Sequence, residues 1–485
     1  GSLDDATDKI LSHLEDPRSD GPEQFDVRGL VMGYVQSGKT ANYCALAAKA
    51  ADVGYKLVIV LSGIHNSLRL QTQRRLNRAL GLDPSGVPEP EAGRRWISLT
   101  TATLHGDFRP GTINANVLQG NEHVLMVCKK NASVLRRLTN WIENRTPESL
   151  PVLIIDDEAD QASINTGGNR ILAQEETDLN PEDLGDAELE DELDPSVING
   201  LIRSLIGTFN RVSYVAYTAT PFANVLINHL AIDREVFQDL YPRDFIVTLP
   251  VPNNYIGAQQ LFGRDPLPGE QEGEGGLEVI KCVPDFEADI LTPRRDDVDW
   301  YEPVVTESLQ LAILEFLLAT SARMHRSTED TPATMLIHTH HRKPVQNRLG
   351  ARLSEYVNEI RQAWRYDRSA ILPQLQNRWE NEFRPLSVSL DIDRDITFNL
   401  IEENLDRLFR DPIPVLTLNS DSSDELDYEK NPNLKAIIIG GNRLSRGLTL
   451  EGLLVSFYIR RTQAFDTLMQ MGRWFGFRES YVDLT

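Results

Sequence analysis

The sequence predicts an α/β protein of two domains in tandem. Three observations carry that expectation. Short runs rich in Val and Ile alternate with helical stretches, the pattern of strands buried on both faces of a parallel sheet. A Pro- and Gly-rich stretch, with Pro266, Pro268, Gly273, Gly275 and Gly276, divides two such series. At 485 residues the chain also exceeds what one hydrophobic core organises.

In chain order, residues 1–24 read as a helical lead-in and 25–248 as the first domain. Its strands are expected at Leu57–Leu61, Val124–Val127, Val152–Ile155 and Val212–Tyr217, with helices at Thr40–Val53 and Ser67–Leu80. An acidic insertion is expected at about 168–196, where Pro181 and Gly185 argue against a regular element. Residues 249–304 read as a connector. The second domain, 305–485, is expected to place a helix at Leu309–Met324 and strands at Thr334–His338, Leu434–Gly440 and Gly452–Tyr458. A helical insertion, rich in Arg, Glu and Leu, is expected at about 342–410. Gly1-Ser2 reads as a tag-cleavage remnant, so the natural start is expected upstream.

The formal net charge is −23, and eleven acids with no base between Glu175 and Asp194 supply almost half of it. Without that stretch the chain carries about −12, which argues against wrapping nucleic acid over the whole surface but leaves room for a local basic groove. No apolar run reaches the roughly 18 to 20 residues of a membrane span, and the start is no signal peptide. Cys44, Cys128 and Cys282 are scattered without paired spacing, which fits a reduced cytoplasmic setting.

Gly33-Tyr-Val-Gln36-Ser37-Gly38-Lys39-Thr40 carries the most chemistry. It follows the apolar Leu30-Val31-Met32 and opens an alanine-rich helix, the strand–loop–helix setting of a phosphate loop. Glycines let successive amides converge on phosphate oxygens, and the helix N-terminus adds favourable electrostatics. Lys39 is expected to reach the β- and γ-phosphates of ATP, and the Thr40 hydroxyl to bind Mg²⁺. The run Pro151–Ile155 then delivers Asp156-Asp157-Glu158-Ala159-Asp160 at a strand's carboxyl end, where open α/β sheets bind ligands. Asp157 is assigned to the metal through water and Glu158 to activation of the attacking water, with Asp156 a competing ligand because register alone does not separate the two aspartates.

Tyr217-Thr218-Ala219-Thr220-Pro221 ends a further strand; following a phosphate loop and a DEAD box, the triplet resembles the third motif of superfamily-two helicases, which implies that Thr218 and Thr220 link the nucleotide site to the interdomain cleft. Near the C-terminus, Arg443, Arg446, Arg473 and Arg478 sit among glycines and aromatics after apolar strands. An arginine from a second domain can stabilise transition-state charge on phosphate; Arg473 and Arg478 are the first candidates, Arg446 the third.

Taken together, the strings at 33–43, 59–69, 155–165, 217–224, 440–452 and 466–478 resemble the Z-one (Z1) domain family, a branch of the superfamily-two helicase-like ATPases. The resemblance runs from about residue 15 to the end. It implies two tandem RecA-like P-loop domains that hydrolyse ATP with Mg²⁺ and act on nucleic acid, DNA first. It also implies a place in bacterial restriction or phage defence, beside a nuclease or a GHKL-type ATPase. By resemblance Gln470 joins the coupling residues, and Asn66, Arg69 and Gln71 face a nucleic-acid backbone. The five-residue spacing of Arg473 and Arg478 departs from the three of the usual last helicase motif, which leaves the choice of arginine open, and the second lobe is expected to continue past Thr485. The family also carries an endonuclease label that the residues do not support: Glu278-Val-Ile-Lys281 lacks the usual one-residue gap between acid and lysine. His338, His340 and His341 alternate about a strand end with no evident fourth metal ligand.

Overall fold

A computed structural model describes residues 3–18, 21–64, 66–89, 95–112, 115–143, 145, 149–160, 195–225, 232–233, 237–251, 254–327, 331–340, 342–392, 395–419, 426, 428, 430–440, 450–459, 472, 475–478 and 481–485. The acidic insertion and the arginine-rich strings fall largely outside them. The chain divides into two compact units, Gly1–Val251 and Pro252–Thr485.

In the first unit, β1 (Phe25–Met32), β2 (Leu57–Ser62), β3 (Trp96–Ser98), β4 (His123–Lys129), β5 (Val152–Asp157), β6 (Arg211–Thr218) and β7 (Phe245–Thr248) form one parallel sheet. Its order is β3-β4-β2-β5-β6-β1-β7. Successive strand residues point to opposite faces, so a continuous apolar run requires cover on both. One face sets Leu57, Ile59, Leu61, Met126 and Ile154 against α4 (Ala132–Glu143) and α5 (Pro195–Gly207) through Leu135, Leu138, Ile198 and Ile202. The other sets Val58, Val60, Val127, Leu153 and Ile155 against α1 (Leu3–Leu11), α2 (Lys39–Val53) and α3 (Asn66–Leu80) through Ile10, Leu46, Ala47, Ala50 and Leu76. Truncating one of these strand residues, Ile154→Ala for instance, costs about 2–5 kcal/mol because the gap does not close.

The second unit repeats the logic on a smaller sheet. Here β8 (Ala333–His338), β9 (Val415–Leu418), β10 (Lys435–Gly440) and β11 (Leu453–Tyr458) run parallel in the order β9-β10-β8-β11. Met335, Ile337, Ile437 and Ile439 face α6 (Glu307–Arg326), α7 (Lys343–Tyr366) and α10 (Phe398–Leu408) through Leu309, Ile313, Leu349, Leu353, Ile401 and Leu405. Leu336, Ala436 and Ile438 form a smaller cluster on the other face. Between α7 and α10 the chain stays helical in α8 (Arg368–Arg378) and α9 (Arg384–Ser389), joined by a π turn at Trp379–Phe383. Residues 254–304 contain two short helices, Ala258–Phe262 and Asp285–Leu291, and a 3₁₀ turn at Arg295–Trp300. At the end of the chain, Arg326 grips the buried Asp483 carboxylate through both terminal nitrogens at 2.7 Å.

The α/β class and the parallel sheets are as expected. The expected strands lie within a residue or two of those found, and the edge strands β3, β7 and β9 are additional to them.

Candidate active site

Because all strands of the first sheet run the same way, their carboxyl ends share one edge. The register puts Met32 of β1 beside Thr218 of β6, and Tyr217 of β6 beside Asp157 of β5. Three motifs scattered over nearly 190 residues of sequence therefore end on adjacent strands.

The loop between β1 and α2 is shaped by its glycines. Gly38 has φ of 89°, a left-handed conformation that costs a residue with a Cβ, and Gln36 adopts one as well at φ of 56°. A Cβ at Gly33 would lie 2.7 Å from Lys39 Cγ, so glycine here lets the lysine stem fold against the loop. The Tyr34 carbonyl accepts from the Lys39 amine at 3.1 Å, the Ser37 hydroxyl at 2.8 Å and the Ser37 amide at 3.3 Å. Thr40, in the first turn of α2, accepts from Arg75 Nη1 of α3 at 3.2 Å. Nothing in the sequence marks Arg75, which reaches the loop only because α2 and α3 lie on the same face of the sheet.

At the end of β5 the two aspartates part roles. Asp156 is fully buried, paired with the equally buried Lys130 amine at 2.9 Å and accepting from Tyr214 at 2.6 Å. The competing assignment of Asp156 to the metal is thus corrected: its side chain points into the interior and is used there. Asp157 points to the other side, accepting from Tyr43 at 3.0 Å. Burial raises its carboxyl above the ordinary value, and the nearby Lys39 charge opposes that rise. Glu158 has a left-handed φ of 53°, and its Oε2 lies 3.6 Å from where a Cβ on Gly63 would stand.

Lys130 was missed by sequence reasoning. Its amine also donates to the carbonyls of Asp157 at 2.9 Å and Glu158 at 2.7 Å, so one buried cation fixes the backbone that presents both acids. Asp160 is held from the next strand: Thr218 Oγ1 donates to it at 2.7 Å and Thr220 Oγ1 at 2.8 Å. The Thr220 amide donates to Thr218 Oγ1 at 2.9 Å, which ties the threonine pair together. Below the loop, burial pushes the Cys44 thiol up to about 12, so it stays protonated at neutral pH.

The donor chemistry of this strand edge fits Mg²⁺. Thr40 and Asp157 offer oxygen donors, as Mg²⁺ prefers, and the Asp157 carboxylate carries a burial penalty that a cation would relieve. Those two residues would hold the ion, which would supply charge neutralisation to the phosphates.

The remaining candidates divide. Arg69 does not face a nucleic-acid strand: it is fully buried, and donates to the Thr101 carbonyl at 3.2 Å, to the Thr103 carbonyl and to Gln73 Oε1. Gln73 continues to Asn77 at 2.8 Å and Ser98 at 3.0 Å, so a polar stripe at every fourth residue packs α3 inward. Asn66 and Gln71 on the same helix remain partly exposed. Arg478 is 4% exposed; it donates to the Leu453 carbonyl at 2.5 Å and to the Tyr481 hydroxyl at 3.2 Å. Arg446, Gln470, Arg473 and His341 lie outside the described residues. His338 stacks on Tyr458 at 5.3 Å, and His340 Nδ1 accepts from the Arg342 amide at 3.0 Å. Among the described residues no helix is long and apolar enough to cross a membrane.

Residues 308–485 match the family model described as the Z1 domain. No curated protein matches the sequence significantly. Among solved structures, a variant of S. cerevisiae Dbp5 bound to RNA and ADP BeF3 is similar at 11% identity and a TM-score of 0.42, over 98% of this chain and 81% of that one. The ATP-dependent Type ISP restriction-modification enzyme LlaBIII bound to DNA is similar at 12% and 0.42, over 98% of this chain and 26% of that one. The DUF1998 helicase MrfA bound to DNA and AMPPNP follows at 10% and 0.42, over 97% and 45%.

Proposed function

We propose that the chain, whose residues 308–485 match the Z1 domain model, is an ATP-hydrolysing, helicase-like motor. It acts on nucleic acid, DNA in the first place, within a bacterial restriction or phage-defence system. The observation that supports this most is the convergence of phosphate loop, acidic strand end and threonine pair on adjacent carboxyl ends of one parallel sheet. In this reading Gly33, Gln36, Ser37 and Gly38 shape the phosphate cradle, and Lys39 leaves the Tyr34 carbonyl for phosphate. Thr40 and Asp157 would hold Mg²⁺, which would neutralise phosphate charge, and Glu158 orients and deprotonates the attacking water. Thr218 and Thr220 couple the site to motion through Asp160. The charge-quenching arginine falls to Arg473, or to Arg446, since Arg478 is committed within its own unit.

A second reading, a nucleotide-gated assembly factor that recruits a nuclease or a GHKL-type ATPase without translocating, is favoured by the net charge of −23. Steady-state ATPase with single-stranded DNA, duplex DNA and RNA separates the two. The motor reading expects turnover that nucleic acid stimulates and that Lys39→Ala abolishes. Turnover indifferent to nucleic acid would overturn the motor and leave the assembly factor.

A further inference from the structure

The stretch from Cys282 to Glu307 carries eight carboxylates against two arginines, a formal −6, yet it also turns large apolar side chains to solvent. Trp300 is 85% exposed, and Phe286 and Ile290, one turn apart on the short helix Asp285–Leu291, face outward too. An indole this exposed adds little to the small buried cluster of Val298, Tyr301 and Val345 beside it. Beside it lies an open groove of about 490 Å³, lined by Asp299, Trp300, Tyr301 and Glu302 on one wall and by Arg348 and Arg352 of α7 on the other.

The charges of this groove are unevenly satisfied. Arg348 donates to the carbonyls of Val298 at 2.8 Å and Tyr301 at 3.2 Å. Arg352 is paired with Glu359 at 3.0 Å and Glu355 at 3.5 Å. Both guanidiniums are therefore held from within. Among the described residues Asp299 and Glu302, which flank the Trp300-Tyr301 pair, take part in no hydrogen bond or ion pair. The Tyr301 ring is nine-tenths buried, and its hydroxyl has no hydrogen-bond partner there.

An exposed aromatic face between two carboxylates that pair with no described residue is suited to a cation, which the ring attracts through its quadrupole and the acids through charge. Nucleic acid is disfavoured, because its phosphates meet a local −6. We propose that this groove is a docking site for a basic segment of a partner protein, with an arginine side chain seated on Trp300 between Asp299 and Glu302. A single aromatic anchor of this kind carries much of the energy of an interface. The site belongs to the second unit alone and does not depend on the nucleotide reading.

Titration of the full chain with a hexa-arginine peptide at 150 mM salt, followed by tryptophan fluorescence, tests it. The chain has six tryptophans, so the signal is assigned with Trp300→Phe, which should lose the emission change. Asp299→Asn combined with Glu302→Gln should weaken binding about tenfold or more, with an unchanged thermal melt because both residues lie on the surface. Equal affinity in wild type and the double variant would show that the peptide binds the acidic surface at large, and would overturn the proposal. So would the absence of any Trp300-dependent signal. A Trp300-dependent response to oligo-dT in place of the peptide would also overturn it, in favour of base stacking.

Discussion

Removing the Lys130 amine should disturb the acidic strand end more than any exposed substitution. The side chain is wholly inaccessible, and it serves one carboxylate and two carbonyls within 2.9 Å. In Lys130→Met the Asp156 carboxylate stays buried without its cation, a loss of about 3–5 kcal/mol where one partner of a buried pair is taken away. Tyr214 still donates to Asp156, which places the figure toward the lower end. Hydrogen exchange over residues 123–130 and 152–160 reads this locally. Exchange should quicken by about two to three orders of magnitude, since each 1.4 kcal/mol is a factor of ten. Lys130→Met with Asp156→Leu should recover much of that protection, because the stranded charge is gone, but should not restore turnover, because the Asp157 and Glu158 carbonyls still lack their donor. An acceleration below about tenfold in the single variant would refute the reasoning.

Three further outcomes are expected. Burial raises the Asp157 carboxyl in the folded state above its ordinary 3.8, so the folded protein binds that proton more tightly and this group's contribution to stability falls as pH rises through the window from 3.8 to the raised value. Asp157→Asn should therefore melt higher than wild type at pH 7, with the advantage shrinking toward pH 4, while Mg²⁺-dependent hydrolysis is lost; a constant or reversed gap would contradict this. Thr218→Ala or Thr220→Ala removes one hydroxyl from the Asp160 carboxylate, a loss of about 1.5–3 kcal/mol each, and should leave fluorescent-nucleotide binding intact while nucleic-acid stimulation of turnover falls. Arg478→Ala should lower the melting temperature of the second unit, whereas Arg473→Ala should cut turnover by about 10³-fold or more; full turnover in Arg473→Ala and lost turnover in a folded Arg478→Ala would return the transition-state role to Arg478.

What the sequence made legible follows from what kind of physics each feature obeys. The strands were readable because a run such as Leu57–Leu61 or Val152–Ile155 has only one economical home, a sheet covered on both faces. The phosphate loop and the acidic strand end were readable because backbone geometry and charge fix both composition and spacing. Lys130 was not, since a lysine after an apolar strand is ordinarily solvated and its burial depends on which strands become neighbours. For the same reason Asp156 and Asp157 were separable only once β5 had a face. Arg69 misled because Arg69, Gln73 and Asn77 have the composition of an exposed helix face, and their inward turn is set by the Ser98–Thr103 segment packed beneath them. Trp300 gave no signal, because the sequence does not distinguish an exposed indole from a core one.

The central claim is that Lys39 grips a triphosphate while Glu158 acts on water. Its most direct test sets nucleotide binding and hydrolysis side by side in two variants. Glu158→Gln should bind Mg²⁺-ATP as tightly as wild type and turn over at least about 10²-fold more slowly, whereas Lys39→Ala should lose binding and hydrolysis together. Undiminished hydrolysis in Glu158→Gln, or wild-type ATP affinity in Lys39→Ala, would contradict the account.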